Sequence, residues 1–130
     1  MKIVLEKQEI LSAIHSALCN GGLALLSNCS VELTVCPIMY NNAKKRLLEN
    51  ESKSICFEDV LVEVITGGER LEFRDHESEE TVSFDLEQAT TNLQKLEFAD
   101  TLVTYQNEQD DAYTAFELLQ GALYGKVIYC

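Results

Sequence analysis

Asp75, His76, Glu77, Glu79 and Glu80 are the densest group in the chain that could do chemistry. Carboxylates beside a histidine can act as acid and base, or hold a divalent cation. Either job requires groups held in a cleft with shifted pKa values. This group instead falls between two short alternating segments, and nothing in Asp75–Glu80 could pack. Its spacing also misses the calcium loop, which sets acids at alternate positions with a central Gly and a distant Glu. A solvated turn is the expectation.

Other chemistries find few residues. There are only two histidines, His15 and His76, neither next in sequence to a plausible nucleophile, and no G-x-S-x-G. His15 lies on a helical segment, where a lone histidine is usually structural or solvent-facing. Cys19, Cys29, Cys36, Cys56 and Cys130 contain no C-x-x-C, and no His pair stands at a ligand spacing. With no signal peptide ahead of them, they read as small buried hydrophobes of a reduced, intracellular protein, without metal or disulfide. No cofactor is expected: Gly21-Gly22 lacks the rest of a phosphate loop. Lys44-Lys45-Arg46 is the one basic cluster, and it reads as a solvated helix face.

The elements that must carry these residues follow from hydrophobic period. Arg70–Arg74 and Thr81–Phe84 alternate, which puts Leu71, Phe73, Val82 and Phe84 on one face of a hairpin. Val31–Val35 alternates likewise and ends at Pro37. Val127–Tyr129 is a further strand candidate. Helical spacing appears in Glu6–Cys19, stopped by Asn20-Gly21-Gly22, and in Tyr40–Glu49, with Asn41 or Asn42 as cap and Ala43, Leu47 and Leu48 inward. Ile55–Ile65 is helical by its i, i+3, i+4, i+7 pattern and stops at Gly67-Gly68. Asp85, with Gln88 three residues on, caps a helix running to about Lys95. Phe98–Tyr105 continues as helix. Asp110 and Asp111 cap a last helix with Tyr113, Phe116, Leu119, Leu123 and Tyr124 on its apolar face. Leu23–Leu26 fits either state.

These elements give an α+β domain spanning 1–130: four or five helices packed on one face of a small antiparallel sheet that contains a hairpin at about 70–84. At 130 residues and 46% hydrophobic, the chain can fill a core without staples. No apolar run approaches the ~18 residues of a membrane span.

Charge is the strongest compositional signal. Residues 1–65 carry a net of −2 and residues 66–130 a net of −10, within a total of −12. That field repels nucleic acid and anionic lipid and attracts basic protein surfaces, including grooves that normally hold nucleic acid.

Two stretches carry a likeness. Cys56-Phe57-Glu58-Asp59-Val60-Leu61 is followed by Gly67-Gly68, Leu71, Phe73, Asp75 and Glu77. Asp110-Asp111-Ala112-Tyr113-Thr114-Ala115 leads to Leu118-Leu119-Gln120 and to Leu123-Tyr124-Gly125-Lys126-Val127-Ile128-Tyr129. Together they resemble small acidic accessory proteins of tailed bacteriophages and related mobile elements, more in the second half than in the first. The Tyr129-Cys130 ending departs from the aromatic-Gly ending of such proteins. The resemblance implies a protein made in a bacterial cytoplasm to blunt a host activity, and it transfers no functional residue.

Two functions follow as expectations. In the first, the protein is a non-enzymatic binder of a basic surface on a host factor, imitating nucleic acid and inhibiting a DNA- or RNA-handling or defence protein. Its binding residues would be Glu72, Asp75, Glu77, Glu79, Glu80 and Glu87, with Asp110 and Asp111 next. It would make no direct contact with nucleic acid or membrane, and self-association is left open. In the second, a pocket between helices and sheet binds a small ligand or hydrolyses one, with Arg70, Arg74 or Lys95 holding an anion.

Overall fold

The alternating segments form a three-stranded antiparallel sheet in the order β1-β2-β3, with β1 Val31–Thr34, β2 Leu71–Asp75 and β3 Glu80–Phe84. The computed structural model describes residues 6–50, 55–95 and 112–129. Leu71 pairs with Phe84 and Phe73 with Val82, so the hairpin has the register that its period of two demands. β1 joins through Val31↔Asp75 and Leu33↔Phe73. One face therefore presents Val31, Leu33, Leu71, Phe73, Val82 and Phe84 to the core, and Phe73 stacks on Phe84 at a centroid distance of 6.4 Å. The other face carries Glu32, Thr34, Glu72, Arg74, Thr81 and Ser83, all exposed or half-buried.

Among the described residues, six helices pack against this sheet: α1 Lys7–Cys19, α2 Gly22–Asn28, α3 Pro37–Asn50, α4 Phe57–Thr66, α5 Leu86–Leu93 and α6 Ala112–Tyr124. The α+β architecture is the one that the one-sided hairpin requires. α6 is buried at Thr114–Phe116 and from Leu118 through Leu123, and α1, α2, α5 and β3 surround it. No single described helix is long and apolar enough to cross a membrane.

Caps fix several boundaries. The Asp85 carboxylate accepts the Gln88 amide at 2.8 Å and starts α5, as the sequence predicts, although that helix ends at Leu93 rather than Lys95. α4 starts at Phe57 rather than Ile55, because Cys56 and Asp59 close a reciprocal capping box ahead of it. Gly68 takes φ +87° after α4 and Gly125 takes +71° after α6.

Three expectations are corrected and one left open is resolved. α3 begins at Pro37, not Tyr40, since proline suits the first helical position, and Asn41 and Asn42 lie inside the helix rather than at its cap. Leu48 and Tyr113 point to solvent, 56% and 67% exposed. The ambiguous Leu23–Leu26 is helical, part of α2; Gly22 packs so close to α6 that an added Cβ would lie 2.6 Å from Leu119 Cδ1. Val127–Tyr129 is not a strand. The buried Gln120 side chain takes up its polar groups instead: Oε1 accepts the amides of Ile128 (2.9 Å) and Tyr129 (2.8 Å), and Nε2 donates to the Tyr129 carbonyl (3.1 Å). The expected Phe98–Tyr105 helix and Asp110 and Asp111 lie outside the described residues.

Candidate functional site

The hairpin turn His76–Glu79 projects from the sheet, with Glu77, Glu79 and Glu80 exposed. Glu72 is exposed on the open face of β2, and Glu87 on the first turn of α5. None of these five carboxylates takes part in an ion pair among the described residues, whereas Glu32, Asp59, Glu63 and Asp85 all do. The turn is held to β1: the His76 amide donates to the Ser30 carbonyl at 2.9 Å, and His76 Nε2 lies 3.6 Å from Glu32 Oε2. Glu79 adopts φ +59°, a left-handed conformation that costs a non-glycine residue energy.

Asp75 does not belong with this exposed set. Period two places it on the core face after Leu71 and Phe73, and it is 1% exposed. Its carboxylate receives Tyr124 Oη at 2.7 Å, Tyr129 Oη at 2.8 and 3.0 Å, and the amides of Glu77 (3.0 Å) and Ser78 (3.2 Å). Burial alone would raise its pKa, but these donors outweigh it and hold the carboxyl below its usual range. Burial and the Asp75 charge raise both phenols, Tyr129 to about 12. An ionised acceptor ringed by four donors is satisfied and unavailable to a partner.

Two of the three basic residues that could hold an anion, Arg70 and Lys95, are engaged as well, while Arg74 is half-buried on the open face of the sheet. Arg70 bonds Asp85 Oδ2 (3.0 Å), Ser83 Oγ (2.8 Å), the Ser83 carbonyl (3.0 Å) and Gln88. The hollow it lines, with Tyr40, Leu61 and Glu72, has room for about 10 Å³, which is barely one water. Lys95 Nζ donates to the Gly125 carbonyl at 3.3 Å.

A second group forms where α1 meets α4. His15 Nε2 lies 2.8 Å from Asp59 Oδ1 and 3.8 Å from Cys19 Sγ. Ligand atoms of His15, Cys56 and Asp59 all lie within 4.8 Å of one another. Cys56 and Asp59 occupy the N-cap and third position of α4, and the Cys56 amide donates to Asp59 Oδ2 at 3.2 Å. Shallow open grooves of about 410 and 210 Å³ border His15 between α1, α3 and α4. A nucleophilic triad would set the thiol on one ring nitrogen and the carboxylate on the other. Here Nε2 faces both, and neither thiol is activated. Burial, Glu58, Cys56 and Asp59 raise Cys19. At Cys56 the Asp59 amide hydrogen bond lowers the pKa, but burial and the neighbouring carboxylates outweigh it.

Sequence reasoning missed this group. The sequence reads all five cysteines as buried, whereas Cys19, Cys36 and Cys56 are exposed and Cys29 is half-buried, and Cys130 lies outside the described residues. The available signals were His15 and Cys19 one helical turn apart, and Cys56 and Asp59 at capping-box spacing. The chain matches no family model, and no curated protein or solved structure is significantly similar to it.

Proposed function

We propose that this protein is a non-enzymatic binder that docks its acidic hairpin edge on a basic surface of a DNA- or RNA-handling or defence factor, occupying the place of nucleic acid. The observation that carries this reading is the grouping of exposed carboxylates without ion pairs among the described residues on the hairpin and the helix after it, Glu72, Glu77, Glu79, Glu80 and Glu87; Glu6, Glu9 and Glu49 are also exposed and outside the ion pairs, but they lie on or beside α1 and α3. Glu72 lies on the open face of β2, Glu80 opposite Asp75 at the start of β3, and Glu77 and Glu79 in the turn between, so all four carboxylates belong to the hairpin. Duplex DNA is likewise a dense run of negative charge, one per ~1.7 Å of axis. A glutamate held at left-handed φ in the turn fits a position kept for its charge rather than its backbone preference. The engagement of Arg70 and Lys95 gives the small-anion alternative no such support. The likeness to phage accessory proteins supplies the setting, a bacterial host cell.

The test is capture from bacterial lysate by the wild type and by a Glu77→Lys, Glu79→Lys, Glu80→Lys triple variant. A partner retained by the wild type alone, released by short duplex DNA and by moderate salt, is the expected result. A partner held equally by both proteins, or with an affinity flat in salt, would show that the acidity only solubilises.

A further inference from the structure

From the junction of α1 and α4 we propose that His15, Cys56 and Asp59, closed by Cys19, form a tetrahedral binding site for a zinc-class divalent ion. The site is independent of the acidic hairpin.

Four features of the geometry support it. First, the donor set is mixed nitrogen, sulfur and oxygen, which suits a borderline-soft ion such as Zn²⁺ and disfavours Mg²⁺ or Ca²⁺, whose ligands are oxygens. Second, the spread is right. With metal–ligand bonds of about 2.0–2.3 Å, tetrahedral ligand atoms lie roughly 3.3–3.8 Å apart, and His15 Nε2 to Cys19 Sγ is 3.8 Å. The ligand atoms of His15, Cys56 and Asp59 all lie within 4.8 Å of one another, so the wider pairs must draw in while the His15–Asp59 pair, at 2.8 Å, opens. Third, the ligands sit on rigid supports: His15 and Cys19 one turn apart on α1, Cys56 and Asp59 at the start of α4. Fourth, the site is reachable, because the His15 and Asp59 side chains are 41% and 38% exposed and Cys19 and Cys56 are exposed residues.

The ion would replace the His15–Asp59 hydrogen bond and displace the protons of both thiols, which leave to solvent as the metal–sulfur bonds form. No electron transfer is involved. The bound ion would then brace α1 against α4, two elements already packed against each other. Because the motif needs no water-filled fourth position, its role is structural rather than catalytic.

The experiment uses the full chain, reduced with a phosphine and stripped of metal. Cobalt(II) is added as the spectroscopic probe and zinc is then titrated in competition. The expected result is one equivalent bound, with a thiolate-to-cobalt charge-transfer band and the intense visible bands of a tetrahedral site, both erased by one equivalent of zinc. Cys56→Ser keeps an N-cap oxygen for α4, so it should stay folded while losing affinity by at least about 100-fold, beyond what supporting residues alone cost. His15→Asn should behave alike. Cys19→Ser should weaken binding and halve the charge-transfer intensity, and Cys36→Ser should change nothing. Zinc should raise the melting temperature of the wild type and not of Cys56→Ser. Equal binding by wild type and Cys56→Ser, or an octahedral cobalt spectrum without charge transfer, would overturn the site and leave only weak ion capture by carboxylates. A cobalt spectrum unaltered by Cys19→Ser would overturn the four-ligand assignment.

Discussion

Tyr129 donates its phenolic hydrogen to the Asp75 carboxylate, 2.8 Å from Oδ2, across 54 residues of chain. Tyr124 donates to the same oxygen at 2.7 Å, and the two rings meet edge to face at 6.3 Å. One charge thus fastens the end of β2, its turn, the end of α6 and the segment that follows α6. The hairpin's apparent acidity divides here into a structural carboxylate and functional candidates around it.

Asp75→Asn should destabilise the fold by about 2–4 kcal/mol, because an amide NH₂ would confront donors where an ionised acceptor stood. Tyr129→Phe should cost less, about 1.5–2 kcal/mol, since three donors remain. Chemical denaturation of both variants checks the order. A smaller loss for Asp75→Asn than for Tyr129→Phe would contradict it.

The same contacts set two limbs of a stability–pH curve. The folded Asp75 carboxyl lies below its unfolded value near ~3.9. The unfolded state therefore binds more protons in that range, and the Asp75 contribution, full above pH ~4, should be lost as pH falls through the folded value. Tyr129 is raised from 10.0 to about 12. Its contribution is full below pH ~10 and should be lost as pH rises from there through about 12. Melting curves from pH 2 to pH 12, with Asp75→Asn flattening the acid limb and Tyr129→Phe the alkaline one, test both signs.

Glu79→Gly should raise stability by about 1 kcal/mol, because glycine adopts φ +59° without a Cβ clash. At this chain length that is a rise of about 4 °C in Tm. The Lys triple variant at 77, 79 and 80 should instead stay within about 0.5 kcal/mol of wild type, since exposed charges contribute little to folding. Calorimetry of the two proteins separates backbone strain from charge.

Gly22→Ala should cost about 1–3 kcal/mol. The new Cβ would meet Leu119 Cδ1 at 2.6 Å and the Ala17 carbonyl at 2.7 Å, and the second of these is backbone and cannot rotate away. Gly68→Ala, with nothing within 4 Å, carries only the strain of its φ and serves as the comparison. Equal losses at the two sites would mean that the close approach of α2 to α6 is relaxed in solution.

Phe73→Asp should prevent folding, because the side chain is 0% exposed and a charge there would be buried without a partner. An unchanged far-ultraviolet spectrum and melting curve would remove Phe73 from the core.

The parts of this fold that sequence makes legible are those written in local pattern. Leu71, Phe73, Val82 and Phe84 announce a one-sided hairpin by parity, and Asp85 announces α5 by its cap. What escapes is set by distant partners. The state of α2 depends on whether Leu119 and Ala115 lie against Gly22, and that of Val127–Tyr129 on a side-chain amide at Gln120. Asp75 shares its parity with Leu71 and Phe73, yet residue type argued for the turn, and only the two tyrosines make burial tolerable. His15 and Asp59 are 44 residues apart, and no local period brings them together.

The long reach of the Asp75 cradle orders events during synthesis. Chains grow at roughly 5–20 residues per second, so the 54 residues from Asp75 to Tyr129 occupy the ribosome for about 3–10 s. Until Tyr124 and Tyr129 have been added, Asp75 is a carboxylate that belongs inside but lacks its two phenols. The nascent sheet must wait with that corner open to water. A chain that stops short of Tyr129 leaves that carboxylate without one of its donors.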